Sequence, residues 1–216
     1  MLYRILYYVV RIQKALFGSK KGRRANMRPQ HFLELVSEFD CTKIETLTED
    51  SWLDGGWEVW LQVEMACYLR DRAEEGANVQ IKREVLYPGT QKRCDFFISY
   101  GGDRDETYIE LKCQNACASN PPNDITNRFI NDIKKQSDSD IKDFPGFCLA
   151  VVRCSADDVR TFYSNLQNRL VCWTSCNVLH WANNEIYNLD STDDWNRFYE
   201  DLDGVDDAIF LFAVSP

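Results

Sequence analysis

The chain has 216 residues and a mass of 25.2 kDa, the size of one domain or of one domain with an appended arm; at 44% hydrophobic and 13% aromatic it is neither collagenous nor wholly disordered. The formal net charge of -9 hides an asymmetry, because residues 1–33 carry eight basic side chains and no acid while the rest carries 17 basic against 34 acidic, so a +8 segment precedes a -17 body. Nine cysteines, an odd number without CxxC pairing, argue against a structural zinc site and for free thiols in a reducing compartment, cytoplasm or nucleus.

In chain order, Met1–Phe17 is apolar but interrupted by Arg4, Arg11, Gln13 and Lys14, well short of the ~18–20 clean apolar residues of a membrane span. A signal anchor, a targeting helix, a membrane-surface helix and a packed helix all stay open for it. The cluster Lys20-Lys21-Gly22-Arg23-Arg24 reads as a solvated hinge, with a nuclear address or a phosphate contact as the alternatives. Residues 1–28 are thus a basic arm or helix, and 29–216 the folded domain.

Within that domain, Pro29–Phe39 reads as a short helix. Asp54-Gly55-Gly56 is a breaker, and Trp57–Ala73 carries the strongest helical signal, ended by Glu75-Gly76-Ala77-Asn78. Alternating apolar residues predict strands at Val79–Tyr87, Cys94–Tyr100 and Thr107–Cys113, with turns at Pro88-Gly89-Thr90 and Gly101–Glu106. After a polar loop with Pro121-Pro122 come a helix from Ile125 to Gln136, a buried strand at Phe147–Arg153, a helix at Ala156–Leu170 and strands near Val171–Trp181 and Ala208–Val214. The acidic stretch Asp190–Asp207 spaces Trp195, Phe198 and Tyr199 as a surface helix with one packed face. The order predicts an α/β fold with a central mixed sheet flanked by helices.

The chemistry concentrates in Tyr108-Ile109-Glu110-Leu111-Lys112. Residues two apart share one face of a strand, so Glu110 and Lys112 stand together while Ile109 and Leu111 face the core. A hairpin turning near Gly101–Glu106 brings Asp95 across from Glu110 at the usual inter-strand spacing of about 4.8 Å, where two acids can share one cation. Oxygen ligands of this kind suit Mg²⁺ or Mn²⁺. Read blandly, E-x-K on a strand is a solvated ion pair worth well under about 1 kcal/mol.

The wider context is a long helix, a strand bearing Lys82-Arg83-Glu84, a strand opening with Asp95, then Glu110-x-Lys112, then a helix carrying Asp132, Lys134 and Lys135. It resembles the PD-(D/E)XK nuclease superfamily over roughly residues 57–153, with Cys94 where the name-giving proline would stand. The resemblance implies a restriction-endonuclease-like core and a Mg²⁺- or Mn²⁺-dependent nuclease acting on nucleic acid, with DNA the favoured substrate. Asp95, Glu110 and Lys112 would be its catalytic residues, and Asp95, Glu110 and Leu111 its metal positions. Many members carry a glutamate on the first helix. Helix geometry favours Glu58, with Gln62 beside it, over Glu64, which falls among Trp57, Trp60, Leu61 and Tyr68.

Gln62, Lys92, Arg93, Lys134 and Lys135 are candidates for binding substrate, and Tyr87 is placed with Lys92 and Arg93 as a contact to its phosphates. Glu84 is a further carboxylate that surface pairing with Arg83 or Lys92 explains as well. His31 and His180 read as structural, and without a GxxxxGK[ST] loop a P-loop nucleotide hydrolase is excluded. The -17 body repels a polyanion unless basic groups gather at the cleft. That supports an alternative, an inactive nuclease-like module binding a protein partner through its acidic surface, and the sequence is also compatible with a homodimer.

Overall fold

The computed structural model describes residues 27–44, 57–72, 79–100, 105–114, 121–170 and 175–216. Most of the basic arm, the breaker at 54–56, the stop at 75–78 and the tip of the 101–106 turn lie outside the described residues. The strands are β1 (Val79–Leu86), β2 (Arg93–Tyr100), β3 (Asp105–Cys113), β4 (Gly146–Cys154), β5 (Ser175–His180), β6 (Glu185–Asn188) and β7 (Ala208–Ser215). The helices are α1 (Pro29–Val36), α2 (Trp57–Arg72), α3 (Pro121–Gln136), α4 (Ala156–Arg169) and α5 (Thr192–Asp201).

The strands form one seven-stranded sheet in the order β1-β2-β3-β4-β7-β5-β6. Only β3 and β4 run parallel, with α3 as their crossover; every other pair is antiparallel. The expected α/β class with a mixed sheet is therefore observed. Alternation explains how the layers form. Ile109, Leu111 and Cys113 of β3 and Phe147, Leu149 and Val151 of β4 face a core closed by Phe32, Leu33 and Val36 of α1 and Trp57, Leu61 and Met65 of α2. Cys148, Ala150 and Val152 face the other side, where Ile125, Phe129 and Ile133 of α3 and Val159, Phe162 and Leu166 of α4 cover them.

Three boundaries differ from the sequence reading. Helix α3 starts at Pro121, since proline is tolerated in a first helical turn whose N–H groups have no intrahelical partner. The strand read near Val171–Trp181 is β5, and it turns through 181–184 into β6, a strand the sequence reading does not contain, with Asn184 in the left-handed region at φ 59. The acidic stretch contributes only α5 as helix, capped by Ser191, whose side chain accepts from the Asp194 N–H, and packed through Phe198.

One irregularity shapes the site. Pairing between β1 and β2 keeps a single register from Val79↔Tyr100 to Leu86↔Arg93, yet Glu84 and Asp95 are left out of it. Glu84 has φ 53, a conformation L-residues rarely adopt. Faces switch there: Val79 and Ile81 join the α1/α2 core, whereas Val85 and Tyr87 pack with Cys94, Phe97 and Tyr108 on the opposite face.

Candidate active site

Pairing of β2 with β3 stops at Phe96↔Ile109, one residue short of the point where Asp95 would face Glu110. Instead of a ladder bond, the Asp95 carboxylate takes the freed backbone, its Oδ2 accepting from Leu111 N–H at 2.6 Å. On its other edge β3 pairs with β4 from Tyr108 to Cys113, Glu110 opposite Cys148 and Lys112 opposite Ala150. Asp95 thus caps the fork where the antiparallel and parallel parts of the sheet diverge.

The N-terminus of α2 reaches round the end of β3. Trp57 Nε1 donates to Gln114 O at 3.0 Å, and Glu58 Oε2 accepts from Cys113 N–H at 3.0 Å. A carboxylate in the first turn of a helix also complements the helix dipole. Lys112 Nζ lies 3.2 Å from Glu58 Oε1, 3.3 Å from Asp132 Oδ2 and 3.8 Å from Asp95 Oδ2, and it donates to Leu111 O at 2.9 Å. Four oxygens from four residues thus surround one ammonium nitrogen, and the three carboxylates keep 14–20% of their side-chain surface exposed, so solvent reaches the cluster.

Glu110 shares the strand face with Lys112 but has other partners. Its Oε1 accepts from Tyr87 OH at 2.9 Å and pairs with Lys135 Nζ at 2.8 Å, and its side chain is 3% exposed. Burial pushes its carboxyl up to about 7, opposed by Lys135 and reinforced by the charges of Asp95 and Asp132. Asp132 is raised as well, first by burial. Burial works against the Lys112 ammonium, but the charges of Asp132, Asp95 and Glu58 outweigh it and hold the ammonium protonated, above its ordinary range. In this arrangement Lys112 is a positive charge and a hydrogen-bond donor.

The sequence-derived candidates divide accordingly. Glu58, Asp95, Lys112 and the Leu111 carbonyl meet at one point, and Glu110 with Lys135 adjoins it. Glu64 is elsewhere, paired with Lys43 at 3.5 Å. Gln62 is buried and accepts from Arg83 at 2.7 Å, which holds α2 on β1. Lys92 pairs with Asp138 at 2.8 Å and with Asp140, so it ties the β1-β2 turn to the turn after α3. Arg93 is exposed and donates to Glu84 O, and its own carbonyl accepts from Lys135. Lys134 is exposed on the outer side of α3. Tyr87, a suggested phosphate contact, is buried beneath Glu110 and stacked on Tyr108. Glu84 is exposed, and His180 is buried against the ring of Phe210.

Two contributors were not singled out from the sequence. Arg128 donates to Cys113 O and to Asp124 and lies 3.8 Å from Glu58. Asp132 was noted only as part of the helix. The signal was the spacing Asp124, Arg128, Asp132, Lys135, a charged line at helical period beside the apolar face of Ile125, Phe129 and Ile133.

Could these residues hold a divalent cation? Among the described residues no three of His, Cys, Asp and Glu are grouped as a ready metal site, because the carboxylates close on Lys112. The donor chemistry nevertheless fits a hard cation, being all oxygen. Charge balance points the same way. Glu58, Asp95, Glu110 and Asp132 face the two ammonium groups of Lys112 and Lys135, with Arg128 shared between Glu58 and Asp124. A surplus of negative charge in a largely buried pocket is costly, and the like charges add to the burial that chiefly raises Glu110 and Asp132.

Among the described residues no helix is long and apolar enough to cross a membrane. No protein-family model, no curated protein and no solved structure matches this chain.

Proposed function

We propose that this chain is a metal-dependent nuclease with a restriction-endonuclease-like core of the PD-(D/E)XK kind, hydrolysing phosphodiester bonds in nucleic acid, DNA first among the substrates to test. One observation carries the reading. The carboxylates of Asp95, Glu58 and Asp132 and the Leu111 carbonyl converge on Lys112 beside a nearly buried Glu110, with more negative charge than the neighbouring cations offset. The succession α2-β1-β2-β3-α3-β4, with Asp95 entering the fork and Glu110-x-Lys112 on one strand face, supports the core assignment.

Asp95, Glu110 and the Leu111 carbonyl would hold Mg²⁺ or Mn²⁺. When bound, such an ion acidifies water and offsets charge gathering on the phosphate. Lys112, held protonated, orients the attacking water and stabilises the oxyanion. Glu58 fixes the end of β3 through Cys113 N–H and steadies Lys112. Lys135 counters Glu110, and Arg93 and Arg128 stand at the rim as donors for neighbouring phosphates.

The test is cleavage of labelled linear, circular and single-stranded DNA and of RNA with Mg²⁺ or Mn²⁺, comparing the full chain with Asp95→Ala and Lys112→Ala. Cleavage that needs metal and is lost in both variants is the expected result. Absence of both cleavage and divalent binding would leave the second reading, a nuclease-like protein-binding module, which the acidic body charge favours.

A further inference from the structure

Of the three carboxylates around Lys112, two have their oxygens tied to the backbone. Asp95 Oδ2 accepts from Leu111 N–H, and Glu58 accepts from Cys113 N–H through one oxygen and from Lys112 through the other. Asp132 differs. Its Oδ2 is buried and, among the described residues, accepts no hydrogen bond of good geometry; what it has is an ion pair with the Lys112 ammonium at 3.3 Å. A buried acceptor left unmade is costly, and native proteins keep few.

A counter-ion for Lys112 is already supplied twice over by Glu58 and Asp95. The third carboxylate is therefore surplus to holding the lysine. Its position on α3, one turn from Lys135 and one turn from Arg128, brings it onto β3 from the opposite layer to Glu58. An acid delivered there, around the same ammonium as Asp95 and the Leu111 carbonyl and with no hydrogen bond to its inner oxygen, is placed to serve a cation other than the one it has.

We propose that Asp132 is a further ligand for the divalent cation of this site, and that Lys112 and the cation compete for its Oδ2: without the ion the ammonium closes the carboxylate ring, and with it Asp132 turns from lysine to metal. The proposal rests on the nuclease reading for the identity of the ion. It extends that reading from a two-carboxylate to a three-carboxylate site and makes Lys112 a gate as well as a donor.

Competition predicts effects of opposite sign. Mn²⁺ affinity of the full-length chain would be measured by titration calorimetry and by the EPR signal of free Mn²⁺, without nucleic acid, with melting in EDTA and in Mn²⁺ as a folding control. Asp132→Asn keeps the shape and removes the charge, and should weaken Mn²⁺ binding by about tenfold or more, the scale on which even outer groups of a metal site act. Lys112→Met removes the competitor and should tighten binding and enlarge the rise in melting temperature on adding Mn²⁺. If Asp132 is only a counter-ion, Asp132→Asn instead binds Mn²⁺ as well as or better than the parent, and the proposal falls. It falls equally if Lys112→Met binds no more tightly, an arm that stands even if the Asp132 variant does not fold. Mn²⁺ binding lost in Asp95→Asn but kept in Asp132→Asn overturns this proposal alone, whereas an unaltered chain that binds no Mn²⁺ overturns the nuclease reading with it.

Discussion

Replacing Glu110 by glutamine should change how stability depends on pH more than it changes stability itself. The Glu110 carboxyl moves from 4.5 to about 7 on folding, through burial above all. An acid raised in this way takes up a proton as the chain folds, so its stabilising contribution is present below pH 4.5 and lost as pH rises through about 7. Between pH 5 and pH 8 the cation-free protein should therefore lose about 2–3 kcal/mol from this group alone, at about 1.4 kcal/mol per pH unit over the titrating range. Glu110→Gln still accepts from Tyr87 but cannot ionise, so this loss is absent. Urea unfolding in EDTA at pH 5, 6, 7 and 8 measures the difference between the two proteins, which cancels groups titrating alike in both. The expected outcome is a variant that gains steadily on the parent with pH. A difference that stays flat across the range would mean that Lys135 and Tyr87 compensate burial fully, and that the charge surplus argued for this pocket does not exist.

Gly146 begins β4 beside Tyr108, and a Cβ there would be driven into the Tyr108 carbonyl oxygen; Gly146→Ala should destabilise by about 1–3 kcal/mol, read as a lower urea midpoint. Gln62→Leu leaves the half-buried Arg83 guanidinium without its acceptor and should cost about 1–3 kcal/mol while sparing divalent binding, since Gln62 makes no contact with the cluster. Neighbouring lysines should separate in cleavage assays: Lys135→Ala removes the cation at Glu110 and lowers activity, whereas Lys134→Ala, outward on α3, changes it little. Equal effects of the two would mean that they act through general attraction for a polyanion.

How far the sequence revealed this arrangement depends on how local each cause is. The β1-β2-β3 meander was legible because side-chain alternation is a property of single strands, and it placed Ile109 and Leu111 in the core and Glu110 with Lys112 on the other face. The approach of Asp95 to β3 followed from hairpin arithmetic. What was not legible is that pairing ends at Phe96 and that Asp95 fills the gap, because glutamate at 84 carries no preference for a left-handed backbone and nothing nearby announces the switch of faces. Helix periodicity limited Glu58 and Gln62 to one edge of α2, but only packing decides that one reaches Lys112 and the other Arg83. Asp132 depended on the rotation of α3 over the sheet, which its own apolar face sets. The β5-β6 turn was missed although its Asn-Asn pair was a usable signal.

The left-handed Glu84 also offers something practical. Its side chain is exposed, and the residue engages Arg93 through its carbonyl, so among the described residues no hydrogen bond or ion pair holds the glutamate side chain there. Asparagine enters this backbone region far more readily. Glu84→Asn should therefore return roughly 0.5–1 kcal/mol without touching any residue of the cluster, giving a sturdier parent in which the costlier changes at Asp132, Lys112 and Glu110 can be compared as folded proteins.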